Sequence, residues 1–515
     1  MRMVLKAVLV FAAFSVAAQT PVRLSWQEFA RDPNRVQSFR NAVATMKSRN
    51  GADRTTATYR KSWEYWANIH GYFGPSAKGG TVATWRTNNK LTDPSWDPYF
   101  DGVQNMSPPD AIAQRVWDQC AHGTDYFFAW HRLFLYRFER VLQEAAGDPN
   151  LRLPYWDYSD TSYLEMPKEF REPTYVNAQG QTVANPLYDK RRLPGWENNT
   201  RKLPAKDTDI DLALQKPDLL GSTGYQFAIE RGPHANVHCD VMQCRATVMG
   251  AVPYSPNDPI FWVHHCNIDR MWECWLSISG HRNPDSIMGQ TFTFVDTNGN
   301  PVTNAVRELF NGSLIDYVYQ QSSNCQRPRM NAAPMAAAAM STKTVTAARK
   351  ALSKPVVIAD DEDDVPFTAQ TTRTRVTLPA TASLSHPRQF ALRAVPELPV
   401  VTELVLRNVH FAQHPRTSFR VFLARPDRPE QRALVGTMSF FADEPEGDAH
   451  HHVADDRTFD ATDALHELGL EGTGALDVDV IFEAVDESIL PGPDFDPEAS
   501  KVVVDEIEFV IQRER

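Results

Sequence analysis

Histidine stands out in this chain by placement rather than by number. Of 15 histidines, His70, His122, His131, His234, His238, His264, His265 and His281 fall in the N-terminal part, among Trp, Tyr and Phe. In Pro233-His234-Ala235-Asn236-Val237-His238 the i, i+4 spacing puts two imidazoles on one face of a helix. In the run Asp258 to Trp272, the pair His264-His265 lies among aromatics, with Asp269 one turn onward. Upstream, Cys120-Ala121-His122-Gly123 precedes Phe127-Phe128-Ala129-Trp130-His131-Arg132, and His70 ends an aromatic run that starts at Trp63. Each alone reads as a hydrogen-bonded core histidine or a solvated one. That reading strains when applied to all, because a buried ring nitrogen without a partner costs free energy. Imidazole-only ligation suits copper, zinc, iron or nickel. Structural zinc usually recruits cysteines and hydrolytic zinc a carboxylate, so all-histidine clusters favour copper, with a zinc hydrolase as the competing reading.

Helices must carry these side chains. Phe39, Val43 and Met46 share a helical face. Phe127 to Leu142 reads as a strong helix, apolar at Phe127, Trp130, Phe134, Phe138 and Val141 and stopped by Gly147 and Pro149. Ile260 to Ile278 reads as another, and the polar, proline-bearing stretch 160–205 as loop.

A chain of 515 residues is too long for one ordinary core and predicts two or three domains. A hydrophobic fraction of 42% and a charged fraction of 23% are those of a soluble globular protein. The net charge of -11 excludes a nucleic-acid partner, which needs a basic face. Residues 1–18 have the form of a signal peptide: Arg2 and Lys6, an apolar stretch, then small residues at Val16-Ala17-Ala18. That predicts a secreted or periplasmic protein. No other stretch is apolar enough for a membrane helix. Six cysteines are too few for a disulfide scaffold at this size.

From residue 326 to 365 the composition turns Met-Ala-rich, then Thr, Lys and Pro, then acidic at Asp360 to Asp364, which reads as a linker with a short helix at Ala347 to Leu352. Beyond it the pattern switches to period two. Val376-Leu378, Leu404-Leu406, Phe419-Val421-Leu423, Leu434 to Phe441, Leu476-Val478-Val480 and Val502 to Ile511 read as strands of an all-β unit. The run His450-His451-His452 reads as a solvated loop.

Three stretches together, CAHGTDYFFAWHRLFLYRFER (120–140), ERGPHANVH (230–238) and NDPIFWVHHCNIDRMW (257–272), resemble the type-3 copper proteins: tyrosinases, catechol oxidases and haemocyanins. The resemblance covers roughly residues 22–320, and Tyr317-Val318-Tyr319 resembles the aromatic motif that closes the family's catalytic domain. It implies two copper ions per chain, one held by His70, His122 and His131, the other by His234, His238 and His265, with His264 a packing or hydrogen-bonding neighbour. It implies a thioether between Cys120 and His122, which would fix the ring. Asp269 then reads as an acceptor orienting a ligand imidazole, or as a salt-bridge partner of Arg270 or another base. Phe261, one turn before His265, would shield the metals.

The same resemblance bears on substrate. Val252 stands where many plant members place a bulky phenylalanine gate, leaving room for an aromatic ring. Ala235 stands where strong monophenol hydroxylases often carry asparagine. That asparagine, with a glutamate matching Glu230, is proposed to hold a water that deprotonates the phenol. Here Glu230 is present and Asn236 falls one position late. The implied activity is O2-dependent oxidation of o-diphenols to o-quinones, with weak monophenol hydroxylation. A true tyrosinase and a haemocyanin-like oxygen carrier are the alternatives.

The expected architecture is therefore a signal peptide (1–18), a mainly α catalytic domain (19–325) with a four-helix bundle around a dicopper centre, a linker (326–365) open to an activating protease, and an all-β, sandwich-like domain (366–515) shielding the site. Small phenols and O2 are the expected partners.

Overall fold

The computed structural model describes residues 20–320, 356–378, 400–443, 455–470, 476–485 and 495–513. The leader, the predicted helix at 347–352 and the run at 450–452 lie outside them.

Residues 20–320 form a helical unit in which four helices, with the segments just before two of them, carry the clustered histidines and a fifth helix braces them. The bracing helix, α1 (Pro33–Ser48), has Asp32 as N-cap, accepting from the Asn34 N–H, and Pro33 in its first turn. It buries Val36, Phe39, Ala42, Val43 and Met46. Helix α2 (Trp63–His70) starts on a Ser62 cap and stops at Gly71. A Cβ on Gly71 would stand 2.7 Å from the Pro253 Cα, so only glycine lets the end of α2, with His70, approach that loop. Helix α3 (Phe127–Ala146) presents Trp130, His131, Phe134 and Phe138 inward and closes on Gly147 at φ +64°. Helix α4 (Ala235–Val241) and helix α5 (Ile260–Leu276) complete the bundle. Only Glu273 and Leu276 of α5 are not buried, so its aromatic and aliphatic residues lie on every side of the helix and its inner polar residues need partners inside the protein.

The bundle is pinned by buried charge. Arg23 pairs with Glu139 at 2.9 Å. Arg132 pairs with Asp269 at 2.6 Å. Tyr319 and Tyr317 donate to the second Asp269 oxygen at 2.6 and 3.1 Å, and the Arg23 guanidinium lies 3.6 Å over the Tyr317 ring. The closing Tyr-Val-Tyr motif is thus tied to α5 and to the strand Val22–Arg23, which pairs with Val318–Tyr319.

The second unit is an antiparallel sandwich. One sheet orders the strands Arg457–Asp460, Val400–His410, Val503–Arg513 and Val356–Asp361, with Val365–Pro366 beside Val503–Arg513. The other orders Arg428–Met438, Phe419–Arg425, Leu476–Ala484 and Thr371–Leu378. Their facing residues, among them Leu404, Val421, Val480 and Phe509, form one core. Two expectations need correction. The β unit begins by Val356 rather than at 366, because Val356-Val357-Ile358-Ala359 pairs with Val503–Arg513 and the acidic Asp360 and Asp361 continue that edge strand. The strand predicted over Leu434 to Phe441 ends at Met438. Ser439 to Phe441 leave the ladder: Phe440 turns back into the sandwich core, while Ser439 and Phe441 reach the helical unit.

The two units meet over a polar seam. Lys216 and Glu403 pair at 2.7 Å, both buried. Arg231 pairs with Asp455 at 3.0 Å, and Lys90 with Asp496 at 2.6 Å. Ser439 donates to Asn236 Oδ1 at 2.6 Å.

Candidate metal centre

The bundle brings seven of the eight N-terminal histidines to one place. His70, His122 and His131, with Cys120, form one group whose ligand atoms lie within 4.8 Å of one another, and His234, His238, His264 and His265 form a second. The groups touch. His131 and His265 stack with centroids 4.6 Å apart, and His122 and His234 lie 5.2 Å apart. His281 stays outside, stacked on Trp275 at 4.5 Å.

The backbone orients these rings. Nδ1–H groups donate to carbonyls: His70 to Val252 at 2.9 Å, His131 to Phe127 at 2.8 Å, His234 to Glu230 at 3.0 Å and His238 to Met249 at 2.6 Å. A carbonyl can only accept, so each of these rings carries its proton on Nδ1 and turns an Nε2 lone pair inward. The Nε2 atoms of His70, His234 and His264 are buried without a partner. Burial holds every ring of the centre far below the ordinary imidazole range, His70 and His234 to about 3, so all are neutral donors. Neutral imidazoles with inward, unsatisfied Nε2 atoms fit metal ions of the borderline class.

The two members of the histidine pair differ. His265 Nε2 lies 3.3 Å from His238 Nε2, while its Nδ1 is buried and unpartnered. His264 Nδ1 is bonded to the Tyr158 hydroxyl at 2.8 Å. His264 packs on His234, His238 and His265, whereas His265 also faces His70 and His131 of the other group.

Around the rings, Cys120 Sγ lies 3.1 Å from His122 Nδ1 and 3.8 Å from its Nε2, facing the carbon between them. Burial pushes this thiol up. Phe261 packs 4.1 Å from His265 and 5.1 Å from His70. Glu230 accepts from the Gly123 N–H at 2.7 Å, its other oxygen is buried without a partner, and burial pushes its carboxyl up to about 8. Ala235 and Val252 line an apolar contact with Phe441. Of the two Asp269 readings the salt bridge holds, made to Arg132 and Arg23 rather than to Arg270, while the histidine-orienting role is corrected: among the described residues its partners are Arg132, Tyr317, Tyr319 and Arg23, and no histidine. Its side chain faces α3 and the closing strand rather than the rings.

Sequence reasoning missed Phe441, whose ring lies over His238 and 6.0 Å from His122. It also missed Tyr158 and the carbonyls of Met249 and Val252. The carbonyls of Phe127 and Glu230 stand four residues before His131 and His234, a spacing that could have revealed them.

Comparison with known proteins agrees with this geometry. Residues 60–219 and 197–278 match the common central domain of tyrosinase. A tyrosinase of Hahella sp. (strain CCB-MM4) is 30% identical over 305 residues, 55% of this chain and 59% of its own. A chloroplastic polyphenol oxidase of Malus domestica is 28% identical over 234 residues, 39% of this chain and 38% of its own. The chain therefore spans less than two thirds of the length of these relatives. The solved structure of a latent aurone synthase (polyphenol oxidase) superposes with a TM-score of 0.54 at 17% identity, covering 99% of this chain and 92% of the other. A latent apple tyrosinase gives 0.53 at 18% identity, covering 96% and 98%. These two likenesses reach across both units and show a shared fold. Among the described residues no helix is long and apolar enough to cross a membrane. With its matched central domain and two convergent histidine groups, the helical unit is similar to the central domain of the type-3 copper tyrosinases and polyphenol oxidases.

Proposed function

We propose that the chain oxidises o-diphenols to o-quinones with O2, at two copper ions held by His70, His122 and His131 and by His234, His238 and His265. One observation carries this: two groups of neutral, backbone-oriented imidazoles meet at the 4.6 Å stack of His131 on His265. His265 is preferred over His264 because its ring faces both groups. The copper pair, when bound, supplies electron acceptance from the diphenol and activation of O2. Two diphenols each lose two electrons and two protons, and one O2 becomes two waters.

The chain's own residues set the conditions. Backbone carbonyls fix the rings, Phe261 excludes water, and Cys120 is placed to join the His122 ring as a thioether. Glu230 offers an unpartnered oxygen to a hydroxyl or water. Asn236 is engaged by Ser439 and Ala235 has no amide, so nothing at that position helps Glu230 hold a water. This supports weak monophenol hydroxylation. Phe441 takes the place of a substrate ring over His238, which supports a latent form opened by a protease cutting within 326–355; the signal-like pattern of residues 1–18 supports a secreted or periplasmic location.

Metal analysis and oxygen uptake with a catechol and a monophenol, before and after limited proteolysis, test this. Two coppers per chain and catechol uptake that rises on cleavage are expected. Zinc in the site would sink the assignment. Reversible O2 binding without turnover would favour the carrier.

A further inference from the structure

The Cys239–Cys244 disulfide plays no part in the function proposed so far, yet it lies where ligands, loop and plug meet. Cys239 follows His238 directly, and Cys244 opens the loop whose Met249 carbonyl accepts from His238 and whose Val252 carbonyl accepts from His70. One ring of each histidine group is thus oriented by this loop. The loop is also strained. Arg245 and Val248 stand at φ +62° and +38°, and a β-branched residue is especially disfavoured there. Gly250 sits so close to the Gln243 carbonyl that a Cβ would be 2.0 Å from it. Such a conformation persists only where its surroundings over-determine it.

The same disulfide forms the seat of the plug. Both cysteines pack with Ala235 against Phe441. Ser418 Oγ lies 3.9 Å from Cys244 Sγ and 2.9 Å from Ser439 Oγ, which in turn donates to Asn236. The plug segment is therefore gripped between α4 and the disulfide loop.

We propose that the Cys239–Cys244 disulfide positions His238 and His70 through the Met249 and Val252 carbonyls, and that a dithiol reductant acting on it loosens both the metal centre and the seat of Phe441. The reductant gives two electrons and two protons. The S–S bond breaks to two thiols, and the reductant becomes a disulfide. The part that concerns copper rests on the function proposed above.

The test uses the full chain as wild type, Cys239→Ser/Cys244→Ser and Cys239→Ala/Cys244→Ala, each with and without a dithiol. Amide exchange over 242–252 is read on the metal-free protein, and copper loss to a chelator on the loaded one. Opening the bond should speed exchange at Arg245, Gly250 and Ala251 by about tenfold and quicken copper loss to a similar degree. The double variants should show this without dithiol and gain nothing from it, which separates the effect from reduction elsewhere. Exchange and copper loss unchanged within about twofold in reduced wild type and in either folded variant would overturn the proposal. If the wild type takes up no copper, the functional reading fails, while the exchange measurement still decides whether the bond holds the loop.

Discussion

The ring of Phe441 lies parallel to the imidazole of His238, 14° apart in plane and 3.8 Å between centroids. A diphenol bound over the same histidine would occupy that volume, so on the function proposed above the Phe441 ring and the substrate would compete for one face. Phe441→Ala should raise catechol oxidation by the uncut chain at least about tenfold, the change expected for about 1.4 kcal/mol of lost competition. Oxygen uptake before and after proteolysis checks it. A variant that stays silent until cut would place the block elsewhere.

His264 and His265 make a sharp pair. His265→Ala should leave about one copper per chain, the loss expected of a trio short of one ligand. His264→Ala should keep both metals. Metal content by atomic absorption decides between them, and the reverse pattern would exchange their roles.

Asp269 is surrounded by Arg132, Arg23 and two tyrosine hydroxyls. Asp269→Asn should cost about 3–5 kcal/mol, because it leaves the buried Arg132 guanidinium with only the half-exposed Glu273 as a countercharge. Denaturant unfolding measures that. Copper stoichiometry in the folded fraction should not change, since the carboxylate touches no ring of the centre.

Buried neutral histidines make the metal-free protein sensitive to acid. Their folded pKa values lie below the unfolded value, His70 and His234 at about 3. Unfolded rings take up protons first as pH falls below about 6.5. The stability these histidines contribute is complete above that pH and is lost as pH drops towards 3. Calorimetry should show Tm of the metal-free form falling between about pH 7 and pH 5. A flat profile would contradict the burial.

Ala235→Asn in cleaved protein should raise the ratio of monophenol to diphenol turnover, by supplying the amide that Asn236 spends on Ser439. An unchanged ratio would mean that Glu230 alone sets the monophenol step.

Much of the centre was legible in the sequence because metal chemistry limits residue choice and helices convert spacing into faces. His234 and His238 four apart, His131 on an apolar helix and His265 one turn from Phe261 all occur where expected. What escaped depended on contacts between distant segments. Leu434 to Phe441 has its one glycine, Gly436, inside the ladder and apolar residues on both sides of Met438, so nothing local marks Met438 as the last ladder residue. Asp360 to Asp364 looked like linker because charge outweighed the short Val-Val-Ile-Ala run before it. Asp269 stands one turn from His265, but Arg132, Arg23 and the hydroxyls of Tyr317 and Tyr319, all distant in the chain, take up its carboxylate.

Phe441 follows a strand bonded into a four-stranded sheet, so it is not borne on a hinged flap. Cutting the tether would not withdraw it. The sandwich would stay docked through Lys216–Glu403, Arg231–Asp455 and Ser439–Asn236, now as a separate molecule with its own dissociation equilibrium. Scission would thus convert a fixed local concentration into one that falls on dilution, and the onset of turnover would track protein concentration and ionic strength as much as the extent of cleavage.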